Sequence, residues 1–343
     1  MRFNLALEAG LELPDGPIVV RHPTAETDLS AFPGAVIDTP DWTVSQAVVA
    51  QGRPLESEPA DYEATVIVLP RSKDLARDLI AYAAQTTSGP IIVDGQKTDG
   101  IDSIWRACRE RADVQGAVTK AHGRCFWMHA APDIFADWVW QQPDVHGFAL
   151  APGVFSADGI DPGSYALAEV LPEVMTGHVV DLGAGWGYLS AVAQARGATR
   201  IDCVEVNAMA LQCAEANVGP DRATFHWHDA TVWKPTEQPD HVIMNPPFHT
   251  GQSGAGGRKG APELGAAFIR NAAQMLGGGG HLWMVANRHL PYEEVLATYF
   301  GSVEELPGPP GTQGYKIYHA TRPQTRKSAA KGARSVTRHR ARG

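Results

Sequence analysis

Val179-Val180-Asp181-Leu182-Gly183-Ala184-Gly185-Trp186-Gly187 sets an apolar strand directly against a glycine-rich turn. Gly183, Gly185 and Gly187 allow the backbone to turn tightly and approach a ligand. A helix beginning near Tyr188 then offers free N–H groups to an anionic ligand end. The next strand ends in Glu205, placed to accept two hydrogen bonds from ribose hydroxyls. The pattern predicts a nucleotide-like cofactor, against the plainer reading of a tight turn without ligand. A dinucleotide fingerprint, G-x-G-x-x-G, needs glycine at position 188, where Tyr188 stands. An NAD-dependent enzyme therefore ranks last.

Outward from this turn the C-terminal half alternates strands with helices, the pattern of a doubly wound α/β sheet. Expected strands are 178–182, 200–206, 223–228, 241–244, 281–286 and 315–320. Expected helices are 188–196, 208–217, 262–276 and 292–299. The third strand ends in His228-Asp229-Ala230. There Asp229 can accept from an adenine amine with the Ala230 N–H facing the ring, or simply cap a helix. His226 and His228 share a strand face, but without a third ligand they read as polar positions and not as a metal site.

The fourth strand ends in Asn245-Pro246-Pro247-Phe248. The two prolines lack N–H groups and fix φ, which stiffens the loop and leaves carbonyls free as acceptors. The Asn245 side-chain oxygen and the Pro246 carbonyl can then hold both hydrogens of a planar amine. Phe248 supplies a face for an aromatic base. Held this way, the nitrogen lone pair is drawn out of conjugation and aimed at an electrophile. An Asn-Pro turn merely ending a strand is common. It is much less plausible for this tetrapeptide at this place.

The N-terminal half reads as a degenerate version of the same unit. Residues 63–72 lie over 241–248, matching Val66 to Val242 and Pro70 to Pro246. Residues 89–97 lie over 280–288, and a late strand at 124–130 answers the one at 315–320. In this overlay Leu69 replaces Asn245, Arg71-Ser72 replace Pro247-Phe248, and no glycine turn follows Ile18-Val19-Val20. Two Rossmann-like doubly wound domains are expected, 1–148 and 149–320, with only the second catalytic. The first is expected to bind RNA or support the second.

The 343 residues, 44% hydrophobic, suffice for two cores. No apolar run approaches the roughly 18 residues that span a bilayer, and the N-terminus turns acidic too soon for a secretory signal. Four cysteines without a C-x-x-C pair suit reduced thiols in a cytoplasmic protein. Net charge is −9, yet residues 321–343 hold eight Lys/Arg and no Asp or Glu. That tail reads as disordered, serving either to attract phosphate or to solubilise.

Residues 181–187 and 245–248 resemble the first and fourth motifs of class I S-adenosylmethionine-dependent N-methyltransferases. More narrowly, Gly153-Val154-Phe155-Ser156, with Asp158-Gly159 and Gly163-Ser164, resembles the ribosomal RNA guanine-N2 methyltransferases. Those enzymes also carry a degenerate N-terminal copy, so the resemblance runs from about residue 17 to residue 320. It implies methyl transfer from S-adenosyl-L-methionine to a guanine N2 of 16S rRNA, in rRNA or the small subunit. By position, Asp181, Gly183, Gly185 and Gly187 border the methionine part of the cofactor, Glu205 holds the ribose, and Asp229 with Ala230 flank the adenine. Asn245, Pro246 and Phe248 hold the target base, and Phe155-Ser156 belong to a loop closing over the site. Trp186 departs from the smaller residue usual in such turns; it is expected to point outward, with a narrowed pocket as the other outcome. A 23S guanine, adenine N6 or a protein glutamine are the alternative amines. An RNA-binding or assembly protein with a vestigial site is the non-enzymatic one. Oligomeric state stays open, with a monomer favoured.

Overall fold

The computed structural model describes residues 2–58, 60–247 and 261–324, and the chain divides between Pro143 and Asp144 into two compact units. The first unit runs α1 (Arg2–Glu8), β1 (Ile18–Arg21), β2 (Val36–Asp38), α2 (Trp42–Ala50), β3 (Ala64–Val68), α3 (Lys73–Thr86), β4 (Ile91–Gln96), α4 (Ile101–Arg109), β5 (Asp113–Lys120) and β6 (Gly123–His129). The second runs α5 (Pro162–Val170), β7 (His178–Leu182), α6 (Tyr188–Ala195), β8 (Arg200–Glu205), α7 (Ala208–Val218), β9 (Ala223–Trp227), β10 (His241–Met244), α8 (Ala261–Met275), β11 (His281–Asn287), α9 (Glu293–Tyr299), β12 (Phe300–Leu306) and β13 (Tyr315–Pro323).

The sheet orders are β2-β1-β3-β4-β6-β5 and β12-β13-β11-β10-β7-β8-β9. With β9 removed the two orders coincide, so the duplication is visible in the topology. Both sheets are parallel except for a terminal hairpin, β5–β6 in one and β12–β13 in the other, which joins antiparallel to β4 or β11. The 315–320 strand expected from sequence extends to Pro323. The last residues of the basic tail, 325–343, lie outside the described residues.

In the second sheet alternate residues face opposite layers, the period-two rule of a strand. Val180, Val242 and Leu282 pack beneath Ile269 and Ala272 of α8. Val179, Ile243 and Trp283 pack against Ala166 and Leu167 of α5, Leu189 of α6 and Leu211 of α7. Strand β7 is buried along its whole length, as expected of a central parallel strand covered on both faces.

The same rule corrects the overlay of the two halves. Val66 packs with Phe3 and Ala6 of α1 and Val44 and Val48 of α2, on the face equivalent to that of Ile243, not of Val242. The backbone agrees: His22 N donates to Asp38 O as Gly183 N donates to Val204 O. The counterpart of Asn245 is therefore Val68, not Leu69, and Pro70 answers Pro247. The overlay of 89–97 on 280–288 keeps its register, since Val66 pairs with Ile92 and Ile243 with Trp283. Strands apolar on both faces have no alternation to mark a one-residue slip. In the corrected register His22, at φ 55°, occupies the left-handed position of Gly183, and Thr39 stands for Glu205. The first unit has thus lost the glycine, the carboxylate and the amide together.

Among the described residues no helix is long and apolar enough to cross a membrane, and all four cysteines are free and buried.

Candidate active site

The second sheet reverses its winding at β7, where the carboxyl ends of β7 and β10 open a crevice. The turn after β7 forms one wall. Gly183, Gly185 and Gly187 have φ of 76°, 56° and 89°, values that L side chains rarely adopt. Each glycine serves differently. A Cβ on Gly187 would sit 3.0 Å from Ala214 on α7, so this residue permits helix packing. A Cβ on Gly185 would meet nothing within 4 Å, so here the backbone borders open space.

Glu205 closes the end of β8. Its Oε2 accepts from Gly185 N at 2.8 Å and its Oε1 from Asn207 N at 3.0 Å, which fixes the carboxylate beside the turn. Asp181 lies beneath, 1% exposed. Its Oδ2 accepts from Ser190 Oγ at 2.7 Å, while its Oδ1 is buried without a partner among the described residues. Burial pushes this carboxyl up to about 7, opposed by the Ser190 hydrogen bond and aided by the charge of Glu205.

That shift has a sign that can be tested. The unfolded group titrates near 3.8, so between that value and about 7 the native state holds a proton that the unfolded state has lost. On this account stability is highest below the unfolded value and falls as pH rises towards 7. Asp181→Asn is expected to flatten the slope in thermal melts of cofactor-free protein between about pH 4 and pH 7. Equal slopes for the variant and wild type would contradict the assignment.

Asp229 ends the β9 segment, and its Oδ1 accepts from Thr231 N and Oγ1 at 2.8 and 2.7 Å. One oxygen thus closes the local turn. Ala230 is buried and its carbonyl accepts from Asn271 Nδ2. His226 and His228 do not converge. His226 Nε2 meets Asp202 Oδ1 at 3.0 Å, and His228 Nδ1 faces the Asp229 carbonyl. Although burial opposes ionisation, hydrogen bonds to His178 and His226 and the charge of Arg200 hold Asp202 well below the usual carboxylate range. No group of three metal-binding side chains occurs among the described residues.

Asn245 leaves β10 opposite the glycine turn. Its Nδ2 donates to Asp161 Oδ2 and to Ser164 Oγ, each at 2.9 Å. Both amide hydrogens are spent within the protein, so Oδ1 is the atom left to accept from a ligand. Asp161 is the N-cap of α5, its Oδ2 also taking Ser164 N at 2.8 Å, with Pro162 at the first helical position. The sequence reading missed Asp161 altogether. Asp-Pro is a helix-start signal, but 84 residues separate Asp161 from Asn245. Pro246 follows and is buried, between the half-buried Asn245 and Pro247; Phe248 lies outside the described residues.

Trp186 does not point outward. It is 4% exposed, packs on Phe148 and Tyr188, and donates Nε1 to the Phe155 carbonyl at 3.0 Å. The bulky residue in the turn is a strut for the Gly153–Ser156 loop, whose Phe155 and Ser156 line the same pocket as Gly185 and Asn245.

Asp161→Ala is expected to lower the turnover rate roughly 10²-fold, because the amide of Asn245 loses its orientation. Asp161→Asn, which keeps an acceptor oxygen, should recover much of that loss, and cofactor affinity should stay constant in both. A merely structural Asp161 would lower affinity and rate together.

A doubly wound sheet with a glycine turn and a fixed amide at its switch point defines a class I methyltransferase. The family model for the methyltransferase small domain matches residues 146–319. Ribosomal RNA small subunit methyltransferase C of Shewanella pealeana is 31% identical over 272 residues, covering 75% of this chain and 76% of that protein. The Shewanella loihica protein of the same name is 30% identical over 274 residues, with the same coverage. The chain belongs to the ribosomal RNA small subunit methyltransferase C family. A T. thermophilus 16S rRNA N2 methyltransferase, solved with AdoMet and guanosine, shares the fold at TM-score 0.71. It is 22% identical, and the match covers 94% of this chain and 91% of that one.

Proposed function

We propose that this protein transfers a methyl group from S-adenosylmethionine to the exocyclic N2 amine of a guanine in 16S rRNA. The observation that carries the reading is the Asn245 amide, both of whose hydrogens go to Asp161 and Ser164. Its remaining oxygen, with the Pro246 carbonyl, accepts the two hydrogens of the target amine. Phe248 stacks on the extruded base.

The residues present suit the cofactor. Glu205 would hold the ribose and Asp229 with Ala230 the adenine. The turn at Gly183, Gly185 and Gly187 would border the methionine part, with Asp181 beneath it. The unpartnered Asp181 Oδ1 is a buried acceptor of the kind a cationic ligand satisfies. When bound, S-adenosylmethionine supplies an electrophilic methyl on a sulfonium. The protein's part is positioning: Asn245 and Pro246 turn the nitrogen lone pair out of conjugation and hold it in line. No base is needed beforehand, because the amine becomes acidic only once methylated and then releases its proton.

An rRNA substrate supports a cytoplasmic enzyme, in which the first unit, with the basic tail, grips rRNA or supports the catalytic unit. Position-by-position comparison of rRNA methylation in wild-type and deletion cells tests the reading. One 16S guanine should lose its N2 methyl group in the deletion strain. Loss from 23S rRNA, from an adenine or from a protein glutamine instead would overturn it.

A further inference from the structure

The segment 155–165 has two working sides. Phe155, Ser156, Asp161 and Ser164 line the pocket that contains Asn245. Asp158, Gly159, Ile160, Pro162 and Tyr165 line a second pocket of about 460 Å³ with Asp144, Val145 and His146. Pockets of several hundred Å³ are the size that takes small organic ligands. The two share a partition one segment thick.

The partition is fixed in place. Trp186 holds the Phe155 carbonyl, Ser156 sits at φ 55° in the left-handed region, and the turn closes with Gly159 N donating to Ser156 O. Non-glycine residues in that region persist where the surroundings enforce them, often at ligand sites. At the other end, Asp161 and Ser164 tie the partition to Asn245. Its large aromatic groups meet solvent: Phe155 is 37% and Tyr165 42% exposed.

We infer that the second pocket receives the nucleobase adjacent to the target guanine, stacked on Tyr165, with the 155–161 loop as the wedge between the two bases. This rests on the proposed RNA substrate. The lining chemistry favours a base over a phosphate. Asp144 and Asp158 accept from base N–H groups or ribose hydroxyls, and no Lys or Arg lines the pocket among the described residues. An aromatic face takes any base, since every base has a π-face. A wedge is also needed, because extruding one nucleotide requires something to part it from its neighbour.

The test uses the full chain, S-adenosylmethionine and a short 16S rRNA fragment that carries the target guanine. Tyr165→Ala should raise both the Kd for the fragment and KM roughly tenfold. Cofactor affinity and the rate at saturating RNA should not change, and Tyr165→Phe should match wild type. A photoactivatable base beside the target should crosslink to the peptide containing Tyr165. Unchanged RNA affinity in Tyr165→Ala, or a crosslink elsewhere, overturns the inference. Wild-type protein that binds and crosslinks the fragment yet methylates nothing overturns the proposed function and leaves the subsite standing.

Discussion

Asn245→Ala is expected to lower the rate of methyl transfer by about 10³ while cofactor affinity stays within about twofold. Removing one preoriented group that acts on charge developing in the transition state costs about 10²–10³ in rate. Here the loss is expected at the upper end, since in the proposed mechanism the same oxygen both orients the amine and draws its lone pair out of conjugation. Cofactor binding should be spared, because the groups assigned to it lie on or just after β7, β8 and β9 and not after β10. Asn245→Asp is the sharper control. It keeps the shape but sets a second carboxylate against Asp161, where the amide now donates at 2.9 Å. It should be as inactive as alanine, with a larger loss of stability. Single-turnover kinetics with titration calorimetry for S-adenosylmethionine separates the two effects. An alanine variant within tenfold of the wild-type rate would remove Asn245 from the mechanism.

Much of this site was legible because its residues obey local rules. A run of glycines after an apolar strand implies positive φ, and all three adopt it. Asn245-Pro-Pro predicts a stiff loop at a strand end, and it lies where the sheet order reverses. What was illegible depended on partners distant in sequence. Nothing in Asp161-Pro162-Gly163-Ser164 announces that two of its side chains bind an amide at the end of β10. Trp186 was misread for a related reason: its exposure is set by the Phe155 carbonyl and the Phe148 ring, neither of which the turn itself specifies. The edge strands β5 and β12 escaped notice for different reasons: β5 buries no residue fully and its pairing shifts register between Val114 and Gly116, while polar residues blur the alternation of β12.

The internal duplication supplies the second large prediction, through Arg21. In the corrected register this residue, only 2% exposed, stands where the second unit has Leu182 in the core beneath α8. Its guanidinium donates to Asp38 at 2.6 Å and to Glu56 at 3.0 and 3.3 Å. It lies 4.8 Å from the centre of the Tyr82 ring on α3. Tyr62 Oη also donates to Glu56, at 2.9 Å. Breaking a buried ion pair from one side strands the other charges. Arg21→Leu is therefore expected to destabilise the first unit by about 3 kcal/mol. The figure sits at the low end of such losses because the Asp38 side chain keeps 31% of its exposure. Replacing the whole network should cost far less, since apolar substitutes for a complete buried pair are often neutral. The second unit shows the substitutes, with Leu182 for Arg21 and Val204 for Asp38. Arg21→Leu/Asp38→Val/Glu56→Gln should thus recover most of what Arg21→Leu loses in urea unfolding of the full chain. A neutral single variant would mean the ions contribute nothing. A triple variant weaker than the single one would mean they specify this unit's packing. The expected order, with the triple variant above the single one, would mark the network as one solution among two that the same fold has reached within a single chain.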